Sequence, residues 1–148
     1  MTEVRLIGTE PVDLFNTLME HEVSRNALSP YSLTIPFENS IDLTTISLGA
    51  AVSLLNDLNW YLSRYVKEAI VLEPSVHKKE WLSRQLATAI RNEDIHPRNS
   101  KKFLKIYCLV PSDETLKLTR PISTNRDELS TLDFPTSDPN SRIIIRLL

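Results

Sequence analysis

Hydrophobic and polar positions alternate at the start of the chain. Over Glu3–Ile7, Val4 and Leu6 fall on one side and Glu3 and Arg5 on the other, the period of a half-buried strand. Thr9 then offers a capping hydroxyl, Pro11 suits a first helical turn and Asp13 suits the positive end of a helix. The spacing predicts a helix over 10–27, with Val12, Phe15, Met19 and Val23 as its apolar line. Ser29-Pro30 breaks it. Leu33–Phe37 reads as a short strand that Pro36 confines to a sheet edge.

The clearest periodicity runs from Ile46 to Leu72. Leu48, Leu55, Leu62 and Ala69 recur every seven residues, and Ala51, Leu58, Tyr65 and Leu72 fill the second seam position. Val52, Leu54 and Val66 widen the stripe beyond a narrow seam, which favours the long central helix of a packed bundle over a dimerising coiled coil. Asn56, Asp57, Asn59, Arg64 and Lys67 argue against a membrane helix. Pro74-Ser75 ends that element and caps a third helix over 76–92, which must stop before His96-Pro97.

Alternation returns over Phe103–Val110, and Pro111-Ser112-Asp113-Glu114 has turn chemistry before Leu116 and Leu118. The expectation is a β-hairpin over 103–120, with a helix across 100–110 as the alternative. Residues 121–141 are rich in Pro, Ser, Thr and Asp and read as a long loop, with one helical turn near Asp127–Leu129 behind a Thr124 cap. The closing stretch RIIIRLL is an aggregation hazard if left unpaired, so it must dock as a strand in its own sheet or on another subunit.

These elements give an α+β fold in a single domain over 1–148. Three helices pack on one face of a small, mostly antiparallel sheet formed by both termini and the 103–120 hairpin. The sheet's aliphatic face gathers Val4, Leu6, Leu104, Ile106, Cys108, Val110, Leu116, Leu118, Ile143, Ile145 and Leu147. Its reverse face shows Arg5, Phe103, Lys105, Tyr107, Lys117, Arg142 and Arg146. Basic groups interleaved with two aromatics suit base stacking in chemistry, though no RNP motif is present, and a polar outer face is the ordinary alternative.

Glycine occurs only at Gly8 and Gly49, against an average near ~7%. Phosphate-cradling loops and nucleophile elbows need several glycines, so no P-loop, dinucleotide fingerprint or GxSxG can be written. Cys108 stands alone in an apolar alternation, reads as a core residue, and suits a reducing compartment. No signal-like N-terminus or long apolar run is seen, and a cytoplasmic location is expected. His21, His77 and His96 form no metal-ligand spacing, and neither metal nor cofactor is expected.

Charge sharpens the picture. Residues 76–106 carry Lys78, Lys79, Arg84, Arg91, Arg98, Lys101, Lys102 and Lys105 against Glu80, Glu93 and Asp94, a net of +5. Residues 1–75 carry a net of −6 and residues 107–148 a net of −1. On the expected third helix, His77, Trp81, Arg84, Thr88 and Arg91 share one side, opposite Leu82, Leu86, Ala89 and Ile90. The ordinary outcome buries Trp81 under a loop and pairs the arginines with the acidic N-terminal half. The sharper one leaves Trp81 outward, stacking a base while the basic residues hold phosphates.

The expected function is therefore a non-catalytic accessory subunit of a multi-component assembly, a nucleoprotein complex above all. Its candidate nucleic-acid-binding residues are Lys78, Lys79, Trp81, Arg84, Arg91, Arg98, Lys101, Lys102 and Lys105. The expected partners are RNA or DNA and other protein subunits, with no membrane. One alternative is a protein–protein adaptor or homodimeric scaffold without nucleic-acid contact. Another is a small enzyme with its site near His21, between the 10–27 helix and the hairpin.

Overall fold

A computed structural model describes residues 1–135 and 138–148. The fold is α+β. Its eight-stranded sheet has the order β2-β1-β3-β4-β8-β5-β6, with β7 pairing β5 beside that path. The strands are β1 (Thr2–Gly8), β2 (Ser40–Thr45), β3 (Val66–Leu72), β4 (Trp81–Ser83), β5 (Phe103–Ser112), β6 (Thr115–Leu118), β7 (Ile122–Asn125) and β8 (Arg142–Arg146). All neighbours are antiparallel except β4 and β8, which run parallel. The sheet is thus larger than the termini and hairpin alone would make it.

The helices are shorter and more numerous than the expected three: α1 (Leu14–Glu20), α2 (Glu22–Leu28), α3 (Leu48–Asp57), α4 (Asn59–Tyr65) and α5 (Arg84–Arg91). In place of one helix over 10–27, Asp13 caps α1 by accepting from the Asn16 amide, and the chain breaks at His21. The buried positions are Leu14, Leu18 and Leu28, while Phe15 and Val23 face solvent. The buried line runs one residue ahead of the expected one in α1 and is reset by the break at His21, so that Ser24 and Leu28 are buried in α2. The Leu33–Phe37 strand reduces to a bridge between Thr34 and Asp42, and the pairing strand in this region is β2.

The largest departure concerns 46–72. The heptad segment is not one helix but α3, α4 and β3 in succession, broken at Leu58 and Val66. Val66, Ile70 and Val71 are β-branched, and the stretch VKEAIVL fits between β1 and β3's other neighbour, β4, better than it fits a helix. Ala51, Leu55, Leu58 and Leu62 are buried in the chain's own core, so the coiled-coil seam is already occupied.

Two cores result. The helices cover one face of the sheet, where Leu14, Leu18, Leu55, Leu58 and Leu86 meet Val4, Leu6, Val71 and Leu82. On the other face the sheet curls over Ile7, Phe37, Ile70, Trp81, Tyr107, Ile143 and Ile145. That second core corrects the expected faces. Ile143 and Ile145 register with Tyr107 and Lys105, while Arg146 registers with Leu104. A one-residue difference in register moves a strand's side chains to the other face. The expected stacking surface loses one of its two rings as well, since Tyr107 is buried and its hydroxyl donates to Glu68 Oε2 at 2.7 Å. Burial, with the Glu68 hydrogen bond and charge, pushes the Tyr107 phenol up.

The 103–120 hairpin forms, with Asp113 at φ 54° in its turn, and the 100–110 helix alternative falls. The terminal strand docks in its own sheet between β4 and β5. The expected loop 121–141 contains β7 and two 3-10 turns, Arg126–Thr131 and Pro139–Ser141, and its positions 136 and 137 lie outside the described residues. Thr124 belongs to β7 and caps nothing; Asn125 precedes the turn. Among the described residues no helix is long and apolar enough to cross a membrane.

Candidate nucleic-acid interface

The nine residues singled out by charge separate into three groups. Trp81 leaves the group of exposed candidates altogether. It stands in β4, not on a helix, is only 6% exposed, and lies beneath the Arg5 guanidinium at 4.5 Å from its ring. Arg5 is itself fixed by two hydrogen bonds to Asp42, at 2.7 and 2.8 Å. The helical wheel failed because α5 begins only at Arg84, where Ser83 caps it by accepting from the Leu86 amide. On a three-residue strand Trp81 and Leu82 point to opposite faces, and here both faces are buried.

Arg84, Arg91 and Lys105 form the second group. Arg84 reaches the end of α3, donating to Asn59 Oδ1, Asn56 Oδ1 and the Leu55 carbonyl. Burial lowers its pKa. Arg91 is exposed but stands beside Gly49, in the helical layer. Lys105 is paired with Glu68 at 2.5 Å.

Lys78, Lys79, Arg98, Lys101 and Lys102 make the third group, and these the fold does bring together. All are exposed. They lie on the β3–β4 and α5–β5 connections, which a polar knot ties to each other. At its centre is Glu80, 9% exposed, which accepts from Arg126 at 2.6 and 3.2 Å and from Arg146 Nε at 2.8 Å. Arg126 also donates to the Lys101 carbonyl through Nε and to the Lys102 carbonyl through its amide, both at 2.8 Å. Arg146, 2% exposed, reaches Ser100 Oγ at 3.4 Å. Burial raises the Glu80 carboxyl, but the hydrogen bonds and charges of Arg126 and Arg146 outweigh it and hold the pKa below the usual range.

Two histidines shape the same loops. His77 Nδ1 accepts from the amides of Lys79 and Glu80, at 3.0 and 2.9 Å, which fixes the turn presenting Lys78 and Lys79. His96 Nδ1 accepts from the Arg98 amide and from its Nε, both at 3.2 Å. The acids nearby in sequence are partly engaged inward: Glu73 accepts from Thr2 and Ser75, and Glu80 holds two arginines. Asp127 and Glu128 follow Arg126 and bound the patch on that side. Among the described residues, none of the five exposed cations is ion-paired.

Arg126 and Arg146, which organise this site, were not legible as such. Each is a lone arginine far along the chain from Glu80. Another feature that went unread is the exposed Trp60, with the Arg64 guanidinium 3.8 Å over its ring and the rings of Tyr61, Tyr65 and His21 around it. His21 is committed to that cluster, and its Nδ1–H donates to the Thr17 carbonyl at 2.8 Å.

No curated protein and no solved structure matches the chain. A family does: residues 2–109, from β1 well into β5, match a family of unknown function, DUF5804. That span includes Glu80, Arg98 and the four loop lysines, Lys78, Lys79, Lys101 and Lys102, and covers well over half of the sequence, so this chain belongs to the DUF5804 family.

Proposed function

We propose that this protein is a non-catalytic accessory subunit of a nucleoprotein assembly, and that it contacts the phosphate backbone through Lys78, Lys79, Arg98, Lys101 and Lys102. One observation carries the reading: Arg126 ties two loops distant in sequence to each other, through Glu80 and the Lys101 carbonyl, and these loops carry five exposed cations, none ion-paired among the described residues. Nothing in that arrangement reads a base sequence; lysine ammonium groups on loops hold phosphates as point charges. Trp81, Arg84 and Lys105 have no part in it, and Arg91 sits in the helical layer.

Binding of this kind releases counterions and weakens steeply with salt. With about five phosphate contacts, affinity for a labelled duplex should fall roughly a hundredfold or more over a fourfold rise in salt. Combining Lys78→Ala with Lys101→Ala should reduce the slope of log affinity against log salt by roughly one to two units. Fluorescence anisotropy measures both. Absence of binding at low salt, or binding indifferent to salt, sinks the reading.

A second reading has its own support in Trp60. Tryptophan, tyrosine and arginine grouped on an exposed surface have the composition of protein contact hot spots. In this reading the α4 surface mediates self-association. Trp60→Ala should leave stability within about 1 kcal/mol and abolish any concentration-dependent dimer seen by sedimentation. A monomer at every concentration removes it.

A further inference from the structure

We infer that the polyanion this protein holds is single-stranded nucleic acid, with Phe103 as the platform for an unpaired base. The inference rests on the phosphate-contact reading of the same loops and adds a substrate class to it. Phe103 opens β5 directly after Lys101 and Lys102, and 49% of its surface is exposed. It therefore stands at the margin of the cationic patch instead of inside a core. The Lys102 ammonium lies 5.3 Å from the centre of its ring, so an exposed aromatic face and a phosphate-binding charge occupy the same spot.

Beside Phe103 is an open concavity of about 430 Å³ in which Ser123, Thr124, Asn125 and Glu128 stand beside three leucines, Leu104, Leu147 and Leu148. Phe103 and Asn125 are direct cross-strand partners and Ser123 lies two residues along the same face, so the ring and these two polar side chains are held in fixed register by the β5–β7 pairing. Hydroxyl, amide and carboxylate groups there can meet the polar edge of a base whose face rests on the phenyl ring. A base stacked in a duplex presents neither face. Exposed aromatic side chains beside cations recognise strands whose bases are free to unstack. Two-stranded DNA would use the lysines alone.

Anisotropy titrations at low salt with a labelled oligothymidylate and with a duplex of equal length test this, using the full chain. The expected result is tighter binding of the oligothymidylate. Phe103→Ala should weaken that binding about ten- to a hundredfold and leave duplex affinity unchanged. Phe103→Trp should retain single-strand binding and show indole fluorescence quenched on titration. Thermal melts of both variants establish that the fold persists, as expected for a side chain half in solvent. Equal affinity for the two probes, with Phe103→Ala affecting neither, overturns the single-strand inference while the lysine variants still report on phosphate contact. Equal weakening of both probes by Phe103→Ala in a folded protein also overturns it. No binding of either probe at low salt removes the phosphate reading itself.

Discussion

Replacing Glu80 with alanine should cost about 3–5 kcal/mol of stability, more than any surface change in the two loops it joins. The expense comes from what is left behind. Arg146 is 2% exposed, and its Nε bonds to Glu80 Oε1; without the carboxylate a charged guanidinium remains buried with only Ser100 Oγ, at 3.4 Å, as a side-chain partner. Truncating one partner of a buried pair costs more than removing both. The double variant Glu80→Ala with Arg146→Met should accordingly recover part of the loss. Acid should reproduce the single change. Because the native state depresses the Glu80 pKa, its contribution is complete above the ordinary value of 4.5 and is lost as pH falls through the lower native value. Glu80→Gln should flatten that part of the acid limb, though Glu73, also lowered, keeps its share. Urea denaturation at several pH values measures all of this. An unchanged midpoint for Glu80→Ala would show that the knot does not hold the two basic loops together.

Local alternation carried the readable part of this fold. The strands at Glu3–Ile7 and Phe103–Val110, the turn after Pro111 and the docking of the terminal segment all rest on short-range pattern, and each forms. What failed was the choice between periods where one sequence satisfies two. Leu62, Tyr65, Ala69 and Leu72 continue a heptad, yet β-branched Val66, Ile70 and Val71 make the last seven residues a strand once β1 and β4 are present to pair with it. Tertiary pairing decided against the local pattern. The 76–92 segment failed for the same reason on a smaller scale, since three residues of strand before Arg84 suffice to turn Trp81 inward.

The candidate site was legible only as composition. Charge counting singled out the stretch 76–106, with Lys78, Lys79, Arg98, Lys101 and Lys102 among its members. Which of the nine candidates would be spent internally depended on Asn56, Asn59 and Glu68, contacts that no spacing rule reaches across. Phe103 was visible as an aromatic among basic residues on the face opposite Leu104; the curl of the sheet buries Tyr107 on that face and leaves Phe103 at the rim.

Trp81→Ala is the change on which the two pictures of this segment part most sharply. Had the indole faced solvent between two arginines, alanine would leave stability nearly untouched and weaken nucleic-acid binding. In the structure the indole fills the second core beside Ile70, Tyr107 and Ile145, under an Arg5 already clamped by Asp42. Truncation there removes a large buried side chain and a cation–π contact together, so a loss of about 3–5 kcal/mol is expected. For a chain of this size the melting temperature should drop on the order of 10 °C. Trp81→Phe keeps an aromatic ring under Arg5 and should recover much of the difference. Since neither residue touches the loop cations, the phenylalanine variant, once shown to be folded, should bind nucleic acid with wild-type affinity and salt slope. A stable Trp81→Ala protein with weakened binding would return Trp81 to the interface and place the recognition surface on β4; a destabilised one whose phenylalanine counterpart binds normally keeps it on the two tied loops.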